Sequence, residues 1–214
     1  MLRFRLFGYP VRIEWMFWVV CAILGMDLMQ VPGPQGLGMM VLWVVIVLGS
    51  VLWHELGHAF ARKKFGEPYS EISLHGFGGI CSGPGRFTRH EQMAVSAAGP
   101  VASLLLGGMV WMIAQTPGAQ ASFWMHFFVG QMLWVNIGWA ILNLLPIFPL
   151  DGGRIFEAFM ANRKPSLVPK VGMLTAAVIA VFGLVGLGSI WMALLFGYLA
   201  YANWQRTNRV QPRF

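Results

Sequence analysis

Two imidazoles and a carboxylate fall within one five-residue run, His54-Glu55-Leu56-Gly57-His58. Residues four apart on an α-helix lie one above the other, so His54 and His58 can grip a single metal ion with Glu55 beside it. Zinc suits this H-E-x-x-H spacing: imidazole is a good ligand for a borderline-soft ion, and a catalytic site keeps one coordination position open for water. Glu55 is then the base that takes a proton from that water. The flanking residues, Val51-Leu52-Trp53 and Ala59-Phe60, are apolar enough to sit in lipid. Three ionisable groups in one turn are costly there, which favours a functional site over polar core residues satisfied by neighbouring helices.

A second stretch supplies what the first lacks. Asn143-Leu144-Leu145-Pro146-Ile147-Phe148-Pro149-Leu150-Asp151-Gly152-Gly153-Arg154 breaks an apolar helix with two prolines. Broken backbone at membrane depth is tolerated only when buried in protein or lining a cavity. Arg154 puts Asp151 at the cytoplasmic end. His54 lies eight residues before Arg62, roughly 12 Å in from the same end at about 1.5 Å per residue. The two motifs share a depth, and Asp151 is the expected third metal ligand. A divalent ion held by neutral His54 and His58 with ionised Asp151 and nearby Glu55 leaves no net charge to desolvate.

These motifs need membrane helices to carry them, and the composition provides them. Of 214 residues, 57% are hydrophobic and 11% charged, with a mean hydropathy of +0.63. That excludes an ordinary soluble domain. The net charge of +7 does not indicate nucleic acid, because of where the basic residues fall. They form four groups: Arg3, Arg5 and Arg12; Arg62, Lys63, Lys64, Arg86 and Arg89; Arg154, Arg163, Lys164 and Lys170; Arg206, Arg209 and Arg213. The connections 31–38, 115–122 and 186–189 carry none. This positive-inside alternation predicts an integral membrane protein with both termini cytoplasmic and an even number of crossings; the bacterial inner membrane is the location expected from the family resemblance given below. Cys21 and Cys81 form no disulfide framework and read as small apolar fillers.

In chain order, residues 1–13 alternate apolar and basic before Gly8-Tyr9-Pro10 and predict an interfacial strand or hairpin. Residues 15–31 form an uncleaved first span, with Asp27 a solvated end residue. A second span covers 39–61. Glu71 to His75 and Gly76 to Cys81 read as two short strands about a glycine turn, following the metal helix closely enough to lie over the site. An unpaired edge there could receive an extended peptide, with Ile72, Ser73, Leu74, Gly78, Gly79 and Ile80 as the binding residues; an ordinary surface hairpin fits equally well. Span three covers 92–114, where Ala97-Ala98-Gly99-Pro100 and Ala102-Ser103 give a small-residue packing face. Span four covers 123–145. His75, His90 and His126 read as loop or boundary residues, and Trp15, Trp53, Trp124 and Trp204 as interface anchors. A short helix over 152–165 follows, ended by Pro165. Residues 171–204 exceed one crossing and fit either two short spans about Gly186-Leu187-Gly188-Ser189 or a re-entrant hairpin. The fold class is an all-α polytopic membrane protein of about six transmembrane helices, with a small β element over the active site. It forms one domain over 1–214, with a catalytic core at 39–160 and accessory helices at 15–31 and 171–204.

The chain resembles the site-2 protease family of intramembrane zinc metalloproteases. The resemblance spans residues 39–160 and rests on His54 to His58, the Gly78-Gly79 hairpin, Ala98-Gly99-Pro100, and Asn143 to Arg154 with its Leu150-Asp151-Gly152 core. The opening Phe7-Gly8-Tyr9-Pro10-Val11-Arg12 is similar to compact bacterial members. The resemblance implies His54, His58 and Asp151 as ligands to one Zn2+, Glu55 as general base, Asn143 as a helper at the oxyanion, and the hairpin as a substrate clamp. Ser103 stands where many members carry Asn, so no polar role is carried over to it. No PDZ or CBS domain fits in this length. The implied partners are a transmembrane protein substrate and the lipid bilayer, without nucleic acid, and the oligomeric state is left open. Two other classes fit less well: a non-proteolytic scaffold has no need of Glu55 beside the metal, and a metal transporter would distribute its ligands along a path.

Overall fold

The alternation at the N-terminus folds as β1 (Leu2–Leu6) and β2 (Tyr9–Ile13), joined by Phe7 and Gly8. Both connecting residues have positive φ, 49° and 88°, the backbone that a two-residue hairpin turn demands. This is seen in a computed structural model that describes residues 1–76, 78–116 and 122–210. Phe77, residues 117–121 and residues 211–214, Arg213 among them, lie outside the described residues.

The remaining elements run α1 (Trp15–Leu24), a 3-10 turn (Met26–Gln30), α2 (Pro34–Lys64), β3 (Glu71–His75), β4 (Gly78–Ser82), α3 (Arg89–Ala114), α4 (Phe123–Leu133), a π segment (Trp134–Gly138), α5 (Trp139–Asn143), α6 (Asp151–Met160), α7 (Leu167–Val185) and α8 (Ile190–Val210). Among the described residues, four helical stretches are long and apolar enough to cross a membrane: Pro34–Lys64, Arg89–Ala114, Phe123–Asn143 and Leu167–Val185. The first expected span is shorter than its hydropathy suggests, because α1 stops at Gly25. A side chain at Gly25 would lie 2.6 Å from the Trp43 ring, whose Nε1 donates to the Cys21 carbonyl at 3.0 Å. Residues 171–204 form two helices, α7 and α8, turned at Gly188, where φ is 62°.

The chain divides into two compact units. The first comprises Met1–Arg86 and Ala98–Ile141. Its four strands form a single sheet in sequence order, with β2 antiparallel to β1 and parallel to β3, and β4 antiparallel to β3. Val11, Ile13, Ile72 and Leu74 are buried from the sheet, in one apolar cluster with Phe17, Ile46, Val47 and Leu56. The helices approach closely at Gly57, where a Cβ would sit 2.6 Å from the Ala98 carbonyl oxygen. Trp53, exposed on α2, donates its Nε1 hydrogen to the Ala102 carbonyl at 2.9 Å. Asn136, fully buried in the π segment, donates to Ser50 Oγ at 2.8 Å and to the Met132 carbonyl at 2.9 Å. π turns of this kind recur at functional positions.

The second unit comprises Phe87–Ala97 and the chain from Leu142 onward. Its core joins Ile147, Ala176, Phe196 and Leu199. Asp151 opens α6, where Gly152 and Gly153 lie so close to the backbone of Leu144 to Phe148 that neither position has room for a Cβ.

Candidate metal centre

Helical periodicity places His54 and His58 on one face of α2, and their Nε2 atoms face each other at 3.2 Å. The rings are edge-to-face with centroids 4.9 Å apart. His54, Glu55 and His58 retain only 9%, 4% and 7% of their accessible surface. At this distance the two nitrogens can share a proton as N–H···N, or both can turn their lone pairs toward one cation. At this separation each can reach one ion at the roughly 2.0–2.1 Å of a zinc–imidazole bond. The space in front of them is kept by Gly99: a Cβ there would run into His58 Nε2 and lie 2.7 Å from His54 Nε2. The donor set and this cradle fit a zinc ion.

Gly99 was assigned to helix packing from its small neighbours, and the structure gives it this second duty. Ser103, to which no polar role was carried over, lies one turn further along α3 and its Oγ is 3.1 Å from His54 Nδ1. When His54 donates Nδ1–H to this hydroxyl, Nε2 carries the ring's free lone pair. The four-residue spacing of Gly99 and Ser103 was the available signal. It was hidden inside a run of small residues.

Glu55 is covered by β4. At Gly79 a Cβ would collide with the Glu55 carboxylate, 2.6 Å from its Cδ, so only glycine lets the strand pass this close. The expected edge needs one correction. Over Ile72, Ser73 and Leu74, β3 is paired with β2 on one side and β4 on the other. Those three residues therefore cannot accept an added strand, and Ile72 and Leu74 are fully buried. The outer strand on this side is β4, with Gly78, Gly79 and Ile80.

The ends of the β3–β4 hairpin are tied to the end of α2. Buried Arg62, read from sequence only as a cytoplasmic charge, pairs with Glu67 at 2.6 Å and donates to Ser70 Oγ at 3.3 Å and the Gly83 carbonyl at 3.2 Å. Glu67 Oε1 accepts the Gly85 N–H at 2.9 Å. Cys81 lies beneath this clasp. Burial, and after it the Glu55 carboxylate, push its thiol up to about 12. Both cysteines are buried and unpaired with each other. His75 is half-buried in β3, while His90 and His126 are exposed. Within the second unit, Asp151 is buried at the first position of α6 and Asn143 is half-buried at the last position of α5.

Comparison with known proteins places this geometry in a family. The pattern of "Peptidase family M50" matches residues 106–186. YwhC of Bacillus subtilis (strain 168) is 30% identical over 153 residues, and the match covers 56% of this chain and 70% of that protein. The chain belongs to peptidase family M50. A further relative of this M50 chain, the zinc metalloprotease MJ0392 of Methanocaldococcus jannaschii, is 25% identical over 218 residues. That match covers 99% of the M50 chain, which spans only 62% of the relative's length. Among solved structures, the site-2 protease from Methanocaldococcus jannaschii shares the fold with a TM-score of 0.67 and 21% identity, covering 100% of this chain and 98% of that one.

Proposed function

We propose that this chain is an intramembrane zinc metalloprotease that hydrolyses peptide bonds within or next to transmembrane segments of other membrane proteins. The observation that carries the reading is the buried Nε2 pair of His54 and His58, 3.2 Å apart, facing the Cβ-free surface of Gly99 with Glu55 next to them. Relatives bearing the name zinc metalloprotease support the choice of metal and reaction.

His54 and His58 would hold the ion through Nε2 with Asp151 as the third ligand, a set whose charge, with Glu55, would balance that of a divalent ion. Bound there, zinc supplies Lewis acidity to a water molecule and to the scissile carbonyl. Glu55 takes the proton from the water and later passes it to the leaving amine. Asn143 donates to the oxyanion as the carbonyl oxygen gains charge. A substrate helix must unwind before its carbonyl can be reached, and an extended segment adding to β4 at Gly78, Gly79 and Ile80 would hold it open beside Glu55. The site opens toward the cytoplasmic side, where both termini lie, and water reaches it from there.

Glu55→Gln keeps the ligands and removes the base. The variant is expected to retain bound zinc and to lose all cleavage of a transmembrane substrate, which identifies itself by accumulating uncut in cells carrying it. Normal turnover by Glu55→Gln would remove Glu55 from the scheme. Retained zinc in the wild-type chain with no cleavage of any membrane protein would favour a scaffold instead.

A further inference from the structure

The last helix, α8, lies beyond the residues matched by the family pattern, yet it carries a fully buried amide and a cation aimed at one residue. Asn203 is 0% exposed, and its Nδ2 donates to the Phe148 carbonyl at 2.8 Å and to the Leu199 carbonyl at 2.8 Å. Three residues on, Arg206 sets its guanidinium 3.7 Å from the centre of the Phe148 ring and bonds Glu157 at 2.8 Å. Phe148 is thus held at both its backbone and its ring by one face of α8. The other end of the Asn203 amide is positioned by Gly172, where a Cβ would lie 2.5 Å from Oδ1. Among the described residues Oδ1 has no hydrogen-bond partner. A buried, half-satisfied amide costs stability that leucine would not. A spacer helix has no use for it.

What the clamp holds is the support of Asp151. Gly153, in the first turn of α6, lies so close to the loop that a Cβ would sit 2.6 Å from the Phe148 nitrogen and 2.5 Å from the Ile147 oxygen. Leu150 N donates to the Ile147 carbonyl at 2.8 Å, closing the turn that leads into Asp151. With no slack between Phe148 and that helix turn, a shift of Phe148 carries Asp151 with it. We propose that Asn203 and Arg206 are positioning residues for the Asp151 carboxylate, so that α8 sets the metal affinity without touching the metal. This rests on the reading of Asp151 as a ligand.

The test measures Zn2+ binding to the purified full chain in detergent, by competition with a chromophoric chelator. Outer partners of metal ligands typically matter by roughly 10- to 100-fold in affinity. Acting one step further out, Asn203→Ala is expected to weaken Zn2+ about tenfold. In an Asp151→Asn background it should produce no further loss, because the carboxylate it positions is gone. Arg206→Gln, at the half-exposed end of the clamp, carries the same cycle should Asn203→Ala not fold. Unchanged Zn2+ affinity in both single variants overturns the proposal. An equal loss in wild-type and Asp151→Asn backgrounds also overturns it, since that is what general loosening of the fold would give. If Asp151→Asn alone binds Zn2+ like the wild type, the ligand assignment falls and the clamp's role with it; if Asp151→Asn weakens binding while the α8 variants do not, only the clamp falls.

Discussion

Gly99→Ala is the sharpest perturbation the metal centre offers, because it adds one methyl group at the point where the two imidazole nitrogens converge. The added carbon would run into His58 Nε2 and lie 2.7 Å from His54 Nε2. Without metal the rings can turn outward and relieve the clash. Binding the ion requires them to turn back, so the strain falls on the bound state. Overpacking by a methyl in a filled interior costs about 1–3 kcal/mol, equivalent to roughly a 5- to 150-fold loss of affinity. Gly108, on the same helix, has no heavy atom within 4 Å of its would-be Cβ. Gly108→Ala should leave zinc affinity unchanged and stabilise the helix by about 0.5–1 kcal/mol. The assay is chelator competition with thermal unfolding in parallel. Zinc binding by Gly99→Ala within twofold of the wild type would refute the placement of the ion against α3.

Two further outcomes follow from neighbouring groups. Ser103→Ala removes the partner of His54 Nδ1 and should weaken zinc roughly 10- to 100-fold, with Ser103→Thr restoring most of it; equal affinities for wild type and alanine variant would show that the hydroxyl does not orient the ring. Cys81, its thiol pushed up to about 12, should react with iodoacetamide at pH 8 roughly a thousandfold more slowly in the folded chain than after denaturation, as read by peptide mass spectrometry. The folded pKa lies above the unfolded value of about 8.5, so this contribution to stability is complete below that pH and is lost as pH rises toward the folded value.

What could be read in advance divides along physical lines. His54, Glu55 and His58 were legible because their relation is local: a helix fixes the geometry of residues four apart. The second hairpin was equally legible from its glycines. Three kinds of feature were not. Hydropathy runs on smoothly through Gly25 and hides the end of α1, which is set by the Trp43 ring packing against it. Parallel pairing of β2 with β3 joins residues about sixty positions apart, and no local pattern announces it. Polar atoms such as Ser103 Oγ and Asn203 Nδ2 matter through partners on other segments of the chain, so each looks like an ordinary helix residue in the sequence.

The β2–β3 pairing also constrains how the protein is made. Both strands belong to one sheet, so the polypeptide between them must leave the bilayer surface and return to it. If α2 makes one of those passages, the stretch from Trp15 to Gly33 makes the other, with only 10 α-helical and 5 3-10 residues to do it. At about 1.5 and 2.0 Å per residue these reach roughly 25 Å, and Gly25 with residues 31–33 must supply the rest of a typical hydrocarbon layer of about 30 Å. During synthesis the first hairpin therefore stands with one side of β2 unpaired until β3, about sixty residues later, has been made.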